Sequence, residues 1–124
     1  MNTNLENILA KIPEFEEFLK IVEKIRDLSY QKLLLERSIK SKEAEIFREA
    51  ITNTLYFING KPPAISFVDS AFKPDGFNGE LVEPRKELAK VTSELDHAKL
   101  ELEVYNSMLE VFRTISANER RTIG

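Results

Sequence analysis

A heptad-spaced row of apolar residues in the second half of the chain constrains its fold more than any other feature. The apolar side chains recur at alternating steps of three and four, a spacing that places them on one side of an α-helix. Because such a helix cannot leave this side exposed to water, it must be covered by another helix of the same chain, by a second copy, or by both. The row, called the seam below, comprises Leu88, Val91, Leu95, Ala98, Leu102, Tyr105, Leu109 and Phe112.

Two long helices, each starting at a proline, are predicted from the pattern. Pro13 and Pro84 suit a first helical turn, where the missing N–H would have no intrahelical partner, and both lie beside glutamates that favour a helix start. The sequence therefore predicts an all-α fold, an elongated antiparallel coiled-coil-like hairpin in one domain. Its predicted elements are a short helix over 1–12, helix 1 over 13–58, a connection over 59–83, helix 2 over 84–117 and a basic tail over 118–124.

The connection combines turn residues with phenylalanines. Asn59-Gly60 is expected to end the first helix, and Pro62-Pro63 prevents it from resuming because proline lacks an N–H donor. The segment 64–68 is predicted as a short strand or as an extended arm docked on a helix. Since the connection is too apolar for a solvated linker, we expect it to be ordered. The aromatic residues expected to make its contacts are Phe67, Phe72 and Phe77.

A second apolar row begins beside the seam in helix 2. A helix that is apolar on two faces has to be buried on two faces, which predicts contact with helix 1 and with one further surface. That surface is either the N-terminal helix or a second copy, and the double row is the main argument for a homo-oligomer. Its members are Leu100, Val104, Met108, Val111 and Ile115.

Composition argues against an enzyme or a metal protein. Cysteine is absent and His97 is the single histidine, so no histidine and thiolate ligand set can form. No phosphate-binding loop and no pairing of a nucleophile with a base is found. Nor does the sequence contain an apolar run long enough to span a bilayer. We therefore expect a cytoplasmic protein without catalytic activity, cofactor, metal or membrane contact.

Basic side chains suggest one possible ligand. The net charge of -3 argues against a surface devoted wholly to nucleic acid. Single-stranded nucleic acid is nevertheless typically bound by a basic groove with aromatic side chains for stacking, and the connection supplies aromatics near Lys61. In the alternative interpretation, the charges form the solvated face of a coiled coil and the phenylalanines are buried. The candidate nucleic-acid contacts are Lys40, Lys42, Arg48, Lys61, Arg120 and Arg121.

Three segments together resemble a family of bacteriophage proteins. They are KSKEAE at 40–45, YFINGK at 56–61 and RTISANERR at 113–121. Over the layout of about residues 30–121, the chain resembles the UvsY-type recombination mediators. The resemblance implies a short helical protein of the infected host's cytoplasm that forms rings, binds single-stranded DNA and helps a recombinase to load.

Two hypotheses of function follow. The first is a non-enzymatic, oligomeric phage accessory protein of DNA recombination or replication, which binds single-stranded DNA or a recombination or replication protein. The second is a coiled-coil interaction module, such as a scaffold, an assembly chaperone or an inhibitor, that binds protein and no nucleic acid. Both predict self-association, and DNA binding distinguishes them.

Overall fold

The computed structural model describes residues 15–123, which form three α-helices and a 3-10 turn without a β-strand. This confirms the all-α class. The helices are α1 (Phe15–Thr52), α2 (Ile65–Ala71) and α3 (Val82–Ile123), and the 3-10 turn spans Thr54–Tyr56. Across the described range, every helix is too short or too polar to cross a membrane. The predicted helix over 1–12 and its following proline lie outside the described residues.

The end of α1 differs from the predicted boundary at residue 58. The helix stops at Thr52 because Asn53 leaves the helical conformation, with φ -86° and ψ 119°. The side-chain oxygen of Asn53 accepts the N–H of Leu55 at 3.0 Å, and its amide donates to the Glu49 carboxylate at 2.7 Å. These local bonds replace the helical hydrogen bonds that the next turn would have formed.

Asn59-Gly60 forms a tight turn after the helix has already ended. Both residues have positive φ, 53° and 75°, as the two central positions of a type I′ turn require. The flanking residues Ile58 and Lys61 exchange two backbone hydrogen bonds of 2.8 and 3.1 Å. The Asn-Gly pair therefore does mark a turn, but its assignment as the end of helix 1 is wrong.

The connection contains the helix α2, so the prediction of a strand or an extended arm over 64–68 is wrong. Ile65, Val68 and Phe72 recur at helical steps of three and four, and Val68 is completely buried. A short Ile-Ser-Phe-Val run favours a strand by local propensity alone. Burial of Val68 on one side of a helix outweighs that preference.

The bounds of α3 are wider than predicted at both ends. The helix begins at Val82, and Pro84 occupies its first turn, where no intrahelical donor is needed. It then continues through the predicted basic tail over 118–124, as far as Ile123. Arg120 and Arg121 form its last turn, where positive charge interacts favourably with the helix dipole.

The chain divides into two compact units. Unit 1 comprises residues 1–29 and 93–124, and is described over 15–29 and 93–123; unit 2 comprises residues 30–92. In unit 1 the ring of Phe18 stacks on Tyr105 at 4.7 Å, and Lys24 lies 3.9 Å from Glu101. The α1 and α3 segments of unit 1 therefore run antiparallel. Among the described residues of this unit, the buried side chains are Leu28, Leu95, Ala98 and Tyr105.

The core of unit 2 joins α1 to the connection and to the start of α3. Phe72, Phe77 and Leu88 pack at the edge of a cluster formed by Ile39, Ile46 and Leu81. The buried hydrophobic side chains of unit 2 are Ile39, Ile46, Ala50, Val68, Leu81 and Val91. Among the seam residues, Val91, Leu95, Ala98 and Tyr105 are buried, whereas Leu88, Leu102, Leu109 and Phe112 are half-buried.

Candidate interaction surfaces

An exposed apolar stripe lies on the α3 segment of unit 1. It is formed by Leu100, Val104 and Val111, whose exposed fractions are 57%, 49% and 50%. All three belong to the second apolar row of the sequence. A trough of about 300 Å³ runs beside Leu100 and Val104, where it is bordered by Ile21 and Met108. The three side chains are four and seven residues apart, a spacing that places them on one side of α3.

The α1 segment of unit 1 carries a second exposed row. Phe15, Leu19 and Val22 are spaced by four and three residues and are all exposed. The ring of Phe15 lies 6.1 Å from that of Phe18, which itself stacks on Tyr105. Unit 1 thus presents apolar side chains with heptad-type spacing on both of its helical segments.

A groove between α1 and α2 in unit 2 brings together two of the predicted basic residues. Lys40 and Arg48 lie on its α1 side, and the groove has a volume of about 670 Å³. This open groove is called the basic-rimmed groove below. Its apolar lining comes from Ala44, Phe47, Ile51 and Ile65, and its remaining charged residues are Glu43, Asp69 and Lys73.

The carboxylates of this groove are already occupied. Asp69 pairs with Lys73 at 3.0 Å, and Glu43 lies 3.5 Å from the guanidinium of Arg85. That guanidinium also donates to the carbonyls of Lys73 and Pro74 at 2.9 and 2.6 Å, which fixes the chain after α2. Arg85 was not predicted from the sequence, because its partners lie in two segments that are distant along the chain, at Glu43 and at 73–74.

The other predicted nucleic-acid contacts lie elsewhere. Lys42 faces Glu45 at 3.5 Å and does not line the groove, and Lys61 is exposed beside the Asn59-Gly60 turn. Arg120 and Arg121 are exposed on unit 1. Of the six candidates, the groove therefore contains only Lys40 and Arg48.

The aromatic residues of the connection pack on one another. Phe77 stacks on Tyr56 at 4.3 Å and lies 4.9 Å from Phe72, which contacts Tyr56 edge-on at 5.6 Å. Phe67 meets the edge of Phe72 at 5.5 Å and is the member that is exposed. Phe72 and Phe77 are half-buried and pack against each other, and contact of the loop aromatics with bases beside Lys61 stays a prediction.

A carboxylate clasp closes the turn that leads into α3. Glu80 accepts the backbone N–H groups of Asn78 at 2.7 Å and of Phe77 at 3.2 Å. Hydrogen bonding, chiefly from Asn78, lowers the pKa of Glu80, and the positive charge of Lys42 contributes to the same effect. Gly76, with φ +85°, leaves room for the carboxylate, since a Cβ there would lie 2.6 and 2.8 Å from its oxygens.

No metal-binding group of three or more histidine, cysteine, aspartate or glutamate side chains occurs between residues 15 and 123. His97 is exposed, and its Nε2 lies 3.3 Å from Glu101, one turn further along α3. The histidine therefore lies on the surface, at the edge of the trough beside Leu100.

Comparison of the chain with known protein families, curated proteins and solved structures found no match.

Proposed function

We propose that the chain is a non-enzymatic helical assembly protein of the cytoplasm, a coiled-coil hairpin whose copies associate and act as a scaffold, chaperone or inhibitor for other proteins. The observation that supports this function is the exposed apolar stripe of Leu100, Val104 and Val111. Leaving such a stripe in water is unfavourable, and each half-exposed side chain contributes about 1 kcal/mol when it is covered.

A second copy is the occupant that fits the stripe best. Helices with apolar residues at steps of three and four interdigitate with helices of the same spacing. Unit 1 carries both partners of such a contact, the stripe on α3 and the row of Phe15, Leu19 and Val22 on α1. The α1 row of one copy can therefore cover the α3 stripe of another, and repetition of this contact builds a ring where the rotation between successive copies closes.

Light scattering on the purified chain at micromolar concentration tests this proposal. The wild type is expected to be an oligomer, and Leu100→Ser with Val104→Ser is expected to shift it towards the monomer. Leu33→Ser with Leu34→Ser is the matched control, because it removes two exposed leucines from α1 in unit 2. A monomeric wild type would contradict the proposal, and so would equal weakening of self-association by the two double substitutions.

Single-stranded DNA binding in recombination or replication is the second candidate function. The observation in its favour is that Lys40 and Arg48 share one groove and have no ion-pair partner among the described residues. Anisotropy of a labelled single-stranded oligonucleotide tests it, since phosphate contacts make affinity fall with salt. Absence of binding at low salt would exclude this function and leave the assembly proposal untouched.

A further inference from the structure

The basic-rimmed groove has the size and lining of a binding site. Its volume of about 670 Å³ falls within the range of about 300–1,000 Å³ that is usual for ligand sites. The apolar lining of the groove, called the floor below, consists of Ala44, Phe47, Ile51 and Ile65. Ile65 is 63% exposed although it is a large apolar side chain. The groove lies in unit 2, whereas the apolar stripe lies in unit 1, so the proposed assembly contact does not account for it.

The charges along the groove favour an acidic ligand. Lys40 and Arg48 are eight residues apart on α1, a separation of about 12 Å along the helix axis. Neither side chain has an ion pair or a hydrogen bond within residues 15–123. Because Glu43 and Asp69 are engaged by Arg85 and Lys73, the groove offers two available cations beside an apolar floor.

We propose that this groove binds an acidic amphipathic helix of a partner protein. In this arrangement the apolar side chains of the partner, spaced at i, i+3 or i+4 and i+7, lie on the floor formed by Ile51 and Ile65. Carboxylates two turns apart on the partner are separated by about 11 Å. They therefore reach Lys40 and Arg48 at the same time.

The floor suits a peptide better than a nucleic-acid strand. Single-stranded nucleic acid needs several exposed aromatic faces and dense positive charge. Phe47 is the one aromatic residue of the floor; it is half-buried, and the ammonium of Lys73 lies 5.8 Å from its ring centroid. The aliphatic remainder of the floor matches leucine or isoleucine side chains of a helix.

A pair of synthetic peptides tests the charge preference with the full chain. The first is a helical peptide of about 18 residues, or five turns, built from leucine, alanine and glutamate with leucines on one face. The second has lysine in place of every glutamate. Fluorescence anisotropy is expected to show binding of the glutamate peptide, weakened by salt, and no binding of the lysine peptide.

Charge reversal locates the site. Lys40→Glu with Arg48→Glu is expected to weaken binding of the glutamate peptide about tenfold or more and to allow the lysine peptide to bind. Lys86→Glu with Lys90→Glu is the matched control, since it makes the same charge change at exposed positions on α3 of the same unit. The control is expected to bind as the wild type does, and circular dichroism is expected to show unchanged helicity in both.

A floor variant and a competitor complete the experiment. Ile65→Ser changes an exposed side chain and is expected to weaken binding of the glutamate peptide about tenfold, because it removes the apolar contact. Failure of the wild type to bind that peptide would overturn the proposal, as would equal loss in the groove and control variants. Oligo-deoxythymidine is added as a competitor. If it displaces the labelled peptide at a lower concentration than the unlabelled glutamate peptide does, the proposal is overturned in favour of nucleic acid.

Discussion

Replacing Leu81 with alanine tests how unit 2 is held together. Leu81 is 1% exposed and lies in the cluster with Ile39 and Ile46, against which Phe72 and Phe77 also pack. The substitution removes three carbon atoms from the place where the connection, α1 and the start of α3 meet. Rigid helices and a clasped turn cannot collapse fully into the space that is left.

The expected cost is about 2–5 kcal/mol, as for other buried leucines replaced by alanine. Against a total stability of about 5–15 kcal/mol, this loss is large. In urea unfolding followed by circular dichroism, at a slope of about 2 kcal/mol/M, it corresponds to a decrease in midpoint of about 1–2.5 M. Wild type and variant are compared at one protein concentration, because self-association would otherwise add to the apparent stability.

Leu55→Ala is the matched control for this measurement. Leu55 is 84% exposed in the 3-10 turn, so the same chemical change there is expected to cost less than about 0.5 kcal/mol. Equal shifts in the two variants, or a shift below about 0.5 kcal/mol for Leu81→Ala, would refute the packing described for unit 2.

Two further predictions concern the turn before α3. Hydrogen bonding lowers the pKa of Glu80 in the folded protein from its ordinary 4.5. The ionised carboxylate therefore stabilises the folded protein above pH 4.5, and this stabilisation is lost as the pH falls through the lower pKa of the folded state. In thermal unfolding, the melting temperature of Glu80→Gln is expected to lie below that of the wild type at pH 7, and the difference is expected to narrow in acid. A difference that stays constant with pH would contradict this. A left-handed alanine costs about 1–2 kcal/mol. Gly76→Ala is expected to destabilise the protein by more than this, since its Cβ displaces the Glu80 carboxylate. Gly60→Ala is the matched control, because Gly60 also has a positive φ of +75° but has open space around it. It is expected to lose only the stability that the left-handed backbone costs, and an equal loss of stability in the two variants would argue against the contact between Gly76 and Glu80.

The sequence was informative wherever structure depends on neighbours along the chain. Heptad spacing predicted that the residues from Leu88 to Phe112 are helical, because side chains three and four residues apart share a helix face. Asn59-Gly60 was expected to end helix 1; it forms a turn after the helix has already ended, because both residues tolerate positive φ. Helix ends were predicted less well, because the hydrogen bonds of Asn53 compete with the helix in a way that periodicity does not show.

The connection and the two candidate surfaces required the tertiary structure. The helical conformation of α2 depends on the burial of Val68, and the groove exists because Ile65 and Lys73 lie opposite Lys40 and Arg48. The residues on the two sides of the groove are about 17 to 33 positions apart in the sequence, and local propensity does not encode the contact between them.

By itself, the sequence determined the all-α class and the positions of the two apolar rows of α3, since both follow from the 3.6-residue period of a helix. It also placed Lys40 and Arg48 on one helix, two turns apart. Only the tertiary structure decided which apolar side chains are buried and which, as in the stripe beginning at Leu100, stay exposed. The physical reason is that burial depends on which segments pack together, and this packing is decided by the whole chain.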